Sequence, residues 1–189
     1  MRILVIDNYD SFTYNLVQMF ERFEGATVVV KRNDQVSLQE VNEASRLVLS
    51  PGPGIPSEAG RMPEIVKEFA PSKKILGVCL GHQCIGEIFG GTLRNIDTPV
   101  HGKATPITVT VEDESLFSGL PKELSVGRYH SWVVDREGFP ADLEITAVDA
   151  SGQVMALRHK RYDVRGVQFH PESILTDYGY EMLKNWMAS

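Results

Sequence analysis

The chain has 189 residues, enough for one domain with a full core, and nothing in its composition departs from a globular protein. Its formal net charge of −6 argues against nucleic acid as a partner, because phosphate binding wants a basic face. No apolar run is long enough to cross a bilayer, and acidic residues arrive too early for a secretory leader, so a cytoplasmic protein is expected.

The first half alternates strand-like and helix-like segments. "RILVID" is a short apolar run ending in Asp7, followed by a turn with a capping residue in "NYDS". From Phe12, apolar residues recur at 16, 19, 20 and 23, which is helical spacing, and Gly25 ends that helix. "ATVVVKR" is the next strand, "SLQEVNEA" a short helix capped by Ser37, and "RLVLS" a third strand ended by "PGPG". Pro63 suits a first helical turn, with Ile65, Val66 and Phe69 on one face and Pro71 as the stop. "KILGV" is a fourth strand, and a helix of about two turns runs from there to Gly90-Gly91. Strands that are apolar throughout, separated by helices, imply a parallel sheet covered on both faces.

The second half changes character. "TPITVTVED" alternates, and "ELSVGRYH", "LEITAVD", "QVMALRH" and "VRGVQF" follow at short intervals, reading as strands added antiparallel. From Asp177, Tyr178, Met182, Leu183 and Trp186 recur at helical spacing, so a last helix packs back on the sheet. No repeat, low-complexity tract or linker divides the chain, and residues 1–189 form one α/β domain on an open, mostly parallel, doubly wound sheet with antiparallel additions.

Ligands of such sheets bind beyond the carboxyl ends of the strands. Cys79 stands there, and "GVCLG" has the spacing of G-x-S-x-G with cysteine for serine. A nucleophile on so tight a strand-to-helix turn needs small neighbours two positions away, and the start of the helix favours thiolate over thiol. A small buried hydrophobe would fit this stretch as well. Cys84 lacks the flanking glycines and reads as packing, and the pair points to different helix faces, so no disulfide is expected. The histidines at 82, 101, 130, 159 and 170 show no close ligand spacing, so no metal site is expected.

A thiolate needs a base oriented by a third group, and "HPE" supplies His170 and Glu172, although the same three residues also serve as a plain turn. Within "PGPG", Gly52 and Gly54 are the only backbone donors, because prolines have none. That loop could hold an oxyanion together with the N–H of Leu80, or be merely a rigid turn.

"GVCLGHQ", "SPGPG" and "VQFHPES", in that order, resemble the class I glutamine amidotransferases over essentially the whole chain. "DNYDSFTYNL", "HGK" and "RYHS" narrow the resemblance to the glutaminase subunits of anthranilate synthase and of aminodeoxychorismate synthase, and "PGPGIPSEAG" leans towards the former. The resemblance implies a flavodoxin-like sheet, with Cys79 as nucleophile, His170 as base and Glu172 as its orienting acid. It further implies oxyanion donors at Gly52 and Leu80, with Pro53 and Gly54 lining the same loop. Gln83 matches a glutamine-binding side chain, and Ser131 and Trp132 match the pair whose backbone grips the substrate's α-groups; relatives often have leucine in place of Trp132. The substrate so implied is L-glutamine, and the partner a chorismate-binding synthase subunit that would hold magnesium, with no cofactor in this chain. His82, His101 and His130 are read as structural or loop-ordering, and His159 as a surface residue. Two other classes keep the same features: a stand-alone γ-glutamyl hydrolase or related cysteine hydrolase, and a regulator that retains the fold without activity.

Overall fold

The computed structural model describes residues 1–189. Nine strands form one sheet: β1 (Arg2–Asp7), β2 (Thr27–Arg32), β3 (Arg46–Leu49), β4 (Lys74–Val78), β5 (Leu93–Val109), β6 (Glu123–Val134), β7 (Leu143–Asp149), β8 (Val154–His159) and β9 (Val164–Val167). The five α-helices are α1 (Thr13–Glu21), α2 (Leu38–Glu43), α3 (Met62–Phe69), α4 (Leu80–Ile88) and α5 (Gly179–Ala188).

The sheet order is β2-β1-β3-β4-β9-β8-β7-β5-β6. β1 to β4 pair in parallel as expected, and β9 takes the fifth place of a flavodoxin-like order. Here the structure corrects the sequence reading, which groups β9 with the antiparallel additions. It runs parallel to β4 and antiparallel only to β8. The short run "VRGV" is buried at three of four positions, as a central strand requires, and no alternation marks its direction.

Helices cover both faces. α1 and α5 lie on one side, where Phe20 meets Trp186 edge-to-face at 5.6 Å between ring centres. α2, α3 and α4 bury Val41, Ile65, Val66 and Ile85 on the other. The α2 start is a capping box: the Ser37 side chain accepts from the Glu40 N–H, and the Glu40 carboxylate accepts from the Ser37 N–H. Pro63 lies in the first turn of α3. The "NYDS" turn caps differently from expectation: no side chain caps α1 at Phe12, and Asp7 instead accepts from Tyr9 N–H and the Thr13 hydroxyl.

The antiparallel half extends further than its pattern announced. β5 begins at Leu93, not near Thr105, and β6 continues through "SWVV" to Val134. Most of the first twelve residues of β5 are exposed, so no apolar alternation could show there. Two more expectations fail. Tyr178 is exposed in the left-handed region at the start of α5 rather than on its buried face. His159 is buried, stacks on Tyr162 at 4.2 Å, and accepts at Nδ1 from the N–H groups of Arg161 and Tyr162, which ties the turn after β8.

Candidate active site

Cys79 joins β4 to α4 with φ 52° and ψ −99°, a conformation that costs a side-chain-bearing residue about 1–3 kcal/mol. The surroundings hold it there. Its N–H donates to the Val167 carbonyl at 2.8 Å, and its carbonyl accepts from the Gln83 N–H at 3.0 Å. The two flanking glycines are obligatory. A Cβ on Gly77 would lie 2.5 Å from the Gly81 carbonyl carbon, and one on Gly81 would lie 2.6 Å from Leu49 Cβ. Cys84 is fully buried inside α4, where burial pushes its thiol pKa well up, and neither cysteine is bridged.

His170 follows β9 and is buried, with its Nδ1 2.7 Å from Glu172 Oε1. A carboxylate can only accept, so Nδ1 carries a proton, and Nε2 is left without a hydrogen-bond partner. Burial acts to lower the pKa of His170, but the Cys79 sulfur and the Glu172 carboxylate outweigh it and raise the value to about 10. Such an imidazole is basic enough to accept a proton. The ring is fixed edge-on by Tyr129 and Phe12, at centre distances of 4.9 and 5.2 Å. Behind it, Gly179 must be glycine, since a Cβ there would lie 1.9 Å from the Pro171 carbonyl oxygen.

The "SPGPG" loop is pinned by Asn8. The Asn8 N–H donates to Ser50 Oγ at 2.9 Å and its Nδ2 to the Ser50 carbonyl at 2.8 Å, while its Oδ1 accepts from Asn33 Nδ2 at 2.9 Å. A Cβ on Gly52 would meet Asn8 Cβ at 2.5 Å and Leu80 Cδ2 at 2.8 Å, so Gly52 lies close against Leu80. The Leu80 N–H is in the first turn of α4, where helical donors have no intrahelical acceptor.

A cavity of about 150 Å³ brings together Gly52, Pro53, Gly54, Cys79, Gln83, Ser131 and Trp132. Across the sheet, the β5–β6 register slips between Asn95 opposite Trp132 and Val100 opposite His130, so Ser131 faces no single β5 partner. That slip takes Ser131 out of the regular ladder at the cavity rim. The Trp132 carbonyl, by contrast, is already occupied by Gln83 Nε2 at 2.9 Å and His130 Nδ1 at 3.0 Å. Any substrate contact from Trp132 must therefore use its N–H or its ring.

Sequence reasoning missed several residues here. Tyr129, His101 and His130 also line the cavity, and Gln168 contacts both Cys79 and Gln83. Gln168 and Tyr129 lie inside the motifs "VQFHPES" and "RYHS", but no spacing rule singles out either of them. His82 is fully buried with neither ring nitrogen in a hydrogen bond of good geometry; burial lowers its pKa to about 4, so it is neutral packing. No group of three or more His, Cys, Asp or Glu side chains is arranged to hold a metal ion.

Comparison with known proteins assigns the chain to a family. The pattern of the family "Glutamine amidotransferase class-I" matches residues 4–189. The chain is 49% identical over 192 residues to anthranilate synthase component 2 of Pseudomonas aeruginosa, covering 98% of this chain and 94% of that one. It is 45% identical to aminodeoxychorismate synthase component 2 of Escherichia coli, covering 98% of each. It is 46% identical to the aminodeoxychorismate/anthranilate synthase component 2 of Bacillus subtilis, covering 99% and 96%. Among solved structures, a putative GMP synthase subunit from Thermoplasma acidophilum superposes with a TM-score of 0.88 at 28% identity, over 100% of this chain and 92% of that one. A strained cysteine elbow facing a buried His–Glu pair is thus set in a chain that belongs to the class-I glutamine amidotransferases.

Proposed function

We propose that this chain is the glutaminase subunit of a chorismate-using synthase, most simply an anthranilate synthase, and that Cys79, His170 and Glu172 carry its chemistry. The observation that carries the reading is that Cys79, on its strained turn at the wall of the cavity, lies against the buried His170–Glu172 pair.

His170 takes the Cys79 proton, and the sulfur attacks the side-chain carbonyl carbon of L-glutamine. The oxyanion rests on the N–H groups of Gly52 and Leu80. As the tetrahedral adduct collapses, His170 gives its proton to the departing nitrogen, and ammonia leaves a γ-glutamyl thioester. Water, deprotonated by His170, attacks the thioester; glutamate departs and the thiol re-forms. Glu172 holds the imidazole through Nδ1 in every step. Ser131, free of the ladder, and the N–H of Trp132 grip the α-groups, while Gln83, Pro53 and Gly54 line the rest of the pocket. No cofactor takes part in these steps, and magnesium belongs to the synthase partner.

The names of the relatives favour a two-component enzyme over a stand-alone hydrolase or a silent regulator. The surface around the site agrees. Tyr9, Tyr14 and Ile174 are exposed apolar side chains that follow the carboxyl ends of β1 and β9, and Ile174 is 101% exposed two residues beyond Glu172. Covering this edge with the synthase would pass ammonia on without loss. No helix is long and apolar enough to cross a membrane, which fits a cytoplasmic pair of subunits.

The test is Cys79→Ser in the complex with the synthase. Glutamine-dependent synthesis should vanish while synthesis from added ammonia persists; retained glutamine use overturns the nucleophile. Pairing the purified chain with anthranilate and with aminodeoxychorismate synthase subunits decides the pathway. Equal support of both matches the double name of the Bacillus subtilis relative.

A further inference from the structure

Behind the cavity runs a chain of buried hydrogen bonds whose direction is fixed from its far end. Arg128, paired with Asp149 at 2.8 Å, can only donate, and its Nε lies 3.0 Å from His130 Nε2. His130 Nε2 is therefore the acceptor, and the proton of the neutral ring sits on Nδ1, which donates to the Trp132 carbonyl at 3.0 Å. Burial, aided by the charge of Arg128, lowers the pKa of His130 to about 3 and keeps it neutral.

The same carbonyl can only accept, so the Gln83 atom 2.9 Å away is its nitrogen. The second hydrogen on that nitrogen points to Gln168 Oε1 at 3.2 Å. Gln168 then presents its own nitrogen to Cys79 Sγ, at 3.6 Å. Turning over the Gln168 amide would oppose two N–H groups at Gln83 and aim an oxygen at the sulfur. Gln168 itself is fully buried, so water cannot replace either bond.

We propose that Gln168 is a positioning residue for the Cys79 thiolate: one end of its amide donates to the sulfur, and the other orients Gln83, whose carbonyl oxygen is thereby turned towards the substrate. This rests on the glutaminase reading and adds to it. The sulfur thus has two neighbours, the base His170 and this uncharged donor, and the side chain of Gln168 couples nucleophile and substrate rim. The charged groups set around the thiol are His170 with Glu172 behind it; His130 is neutral and beyond Gln83.

Two variants separate the two bonds. Gln168→Met keeps the length and loses both. Gln168→Glu keeps an acceptor for Gln83 but turns a carboxylate oxygen to the sulfur. Alkylation of Cys79 by iodoacetamide is followed across pH by peptide mass spectrometry, in the complex with the synthase. In Gln168→Met the rate at pH 7 should fall about tenfold, the size of one hydrogen bond to an ionised group, and recover at high pH. In Gln168→Glu it should fall further, while the KM for glutamine rises less than in Gln168→Met. A merely structural role would leave the pH profile where it is, and an unchanged profile in either folded variant overturns the proposal. The glutaminase reading fails separately, through glutamine-dependent synthesis by Cys79→Ser.

Discussion

Along β1, β3, β4 and β9, the four inner parallel strands, the chain is apolar and mostly buried, whereas the outer arm formed by β5 and β6 is largely exposed over its first twelve β5 residues. The two regions contribute differently to one site. The parallel half supplies the reacting groups: Cys79 after β4, the Gly52 loop after β3 and His170 after β9. The antiparallel arm supplies the rim, through Tyr129, Ser131 and Trp132. Rigid, close-packed strand ends suit chemistry that tolerates little displacement. The exposed first part of β5 suits a rim that opens, closes or meets a partner.

The contrast predicts that one added methyl group is most damaging in the parallel half. Gly52→Ala would drive a Cβ to within 2.5 Å of Asn8 and 2.8 Å of Leu80, displacing both oxyanion donors. Glutamine-dependent kcat should fall about 10²–10³-fold with ammonia-dependent synthesis unchanged. Steady-state kinetics with either nitrogen source checks this, and a loss below tenfold would mean that the loop is not an oxyanion hole. Gly77→Ala acts on stability instead. Its Cβ would meet the Gly81 backbone at 2.5 Å, which no side-chain rotation relieves. A loss of about 3 kcal/mol is expected by urea denaturation, at the upper end of overpacking costs.

This division also explains what the sequence could show. Strand and helix positions in the parallel half were legible because burial on both faces writes apolar runs, and because Ser37, Pro63 and Pro71 punctuate them. The nucleophile and its base were legible because Gly77, Gly81, Pro171 and Glu172 lie close to them in sequence. The long arm was not, since exposed strand residues carry no pattern and its register slip is set by pairing between segments some thirty residues apart. Gln168 escaped for a related reason. Its partners, Cys79 and Gln83, are 89 and 85 positions away, and only the fold brings them together.

Titration offers a second way to separate the regions. His82 lies in α4, and burial holds it at about 4 against an ordinary value near 6.5. Between those values the unfolded chain binds a proton that the folded one refuses. Stability is therefore full above pH 6.5 and lost as pH falls towards 4, with a slope of up to about 1.4 kcal/mol per pH unit for one proton. His82→Met should flatten that acid limb in urea titrations, because neither ring nitrogen has a hydrogen bond of good geometry to lose. His130, on the arm, keeps the remaining acid sensitivity. His170 has the opposite sign. Raised to about 10, its contribution is complete below pH 6.5 and fades as pH climbs towards 10. Cys79→Ala should move that loss to lower pH, since the thiol is one of the two groups that raise it.

The smallest effects belong to the arm, where they discriminate best. Residues 96 to 99 of β5 stand opposite Ser131 alone. Deleting Asp97 and Thr98, both exposed, halves that slack and lets the ladder reclaim Ser131. If Ser131 grips the α-groups equally in ground and transition states, KM for glutamine rises about tenfold while kcat stays within twofold. A fall in kcat instead would show that the arm positions the reacting amide, and the division between chemistry and rim would fail. Asp97→Ala alone is the control. It leaves the length of the slip and the core unchanged, so stability should change by no more than about 0.5 kcal/mol and KM not at all. A larger change would mean that the exposed arm is held by its own side chains rather than by its pairing with β6.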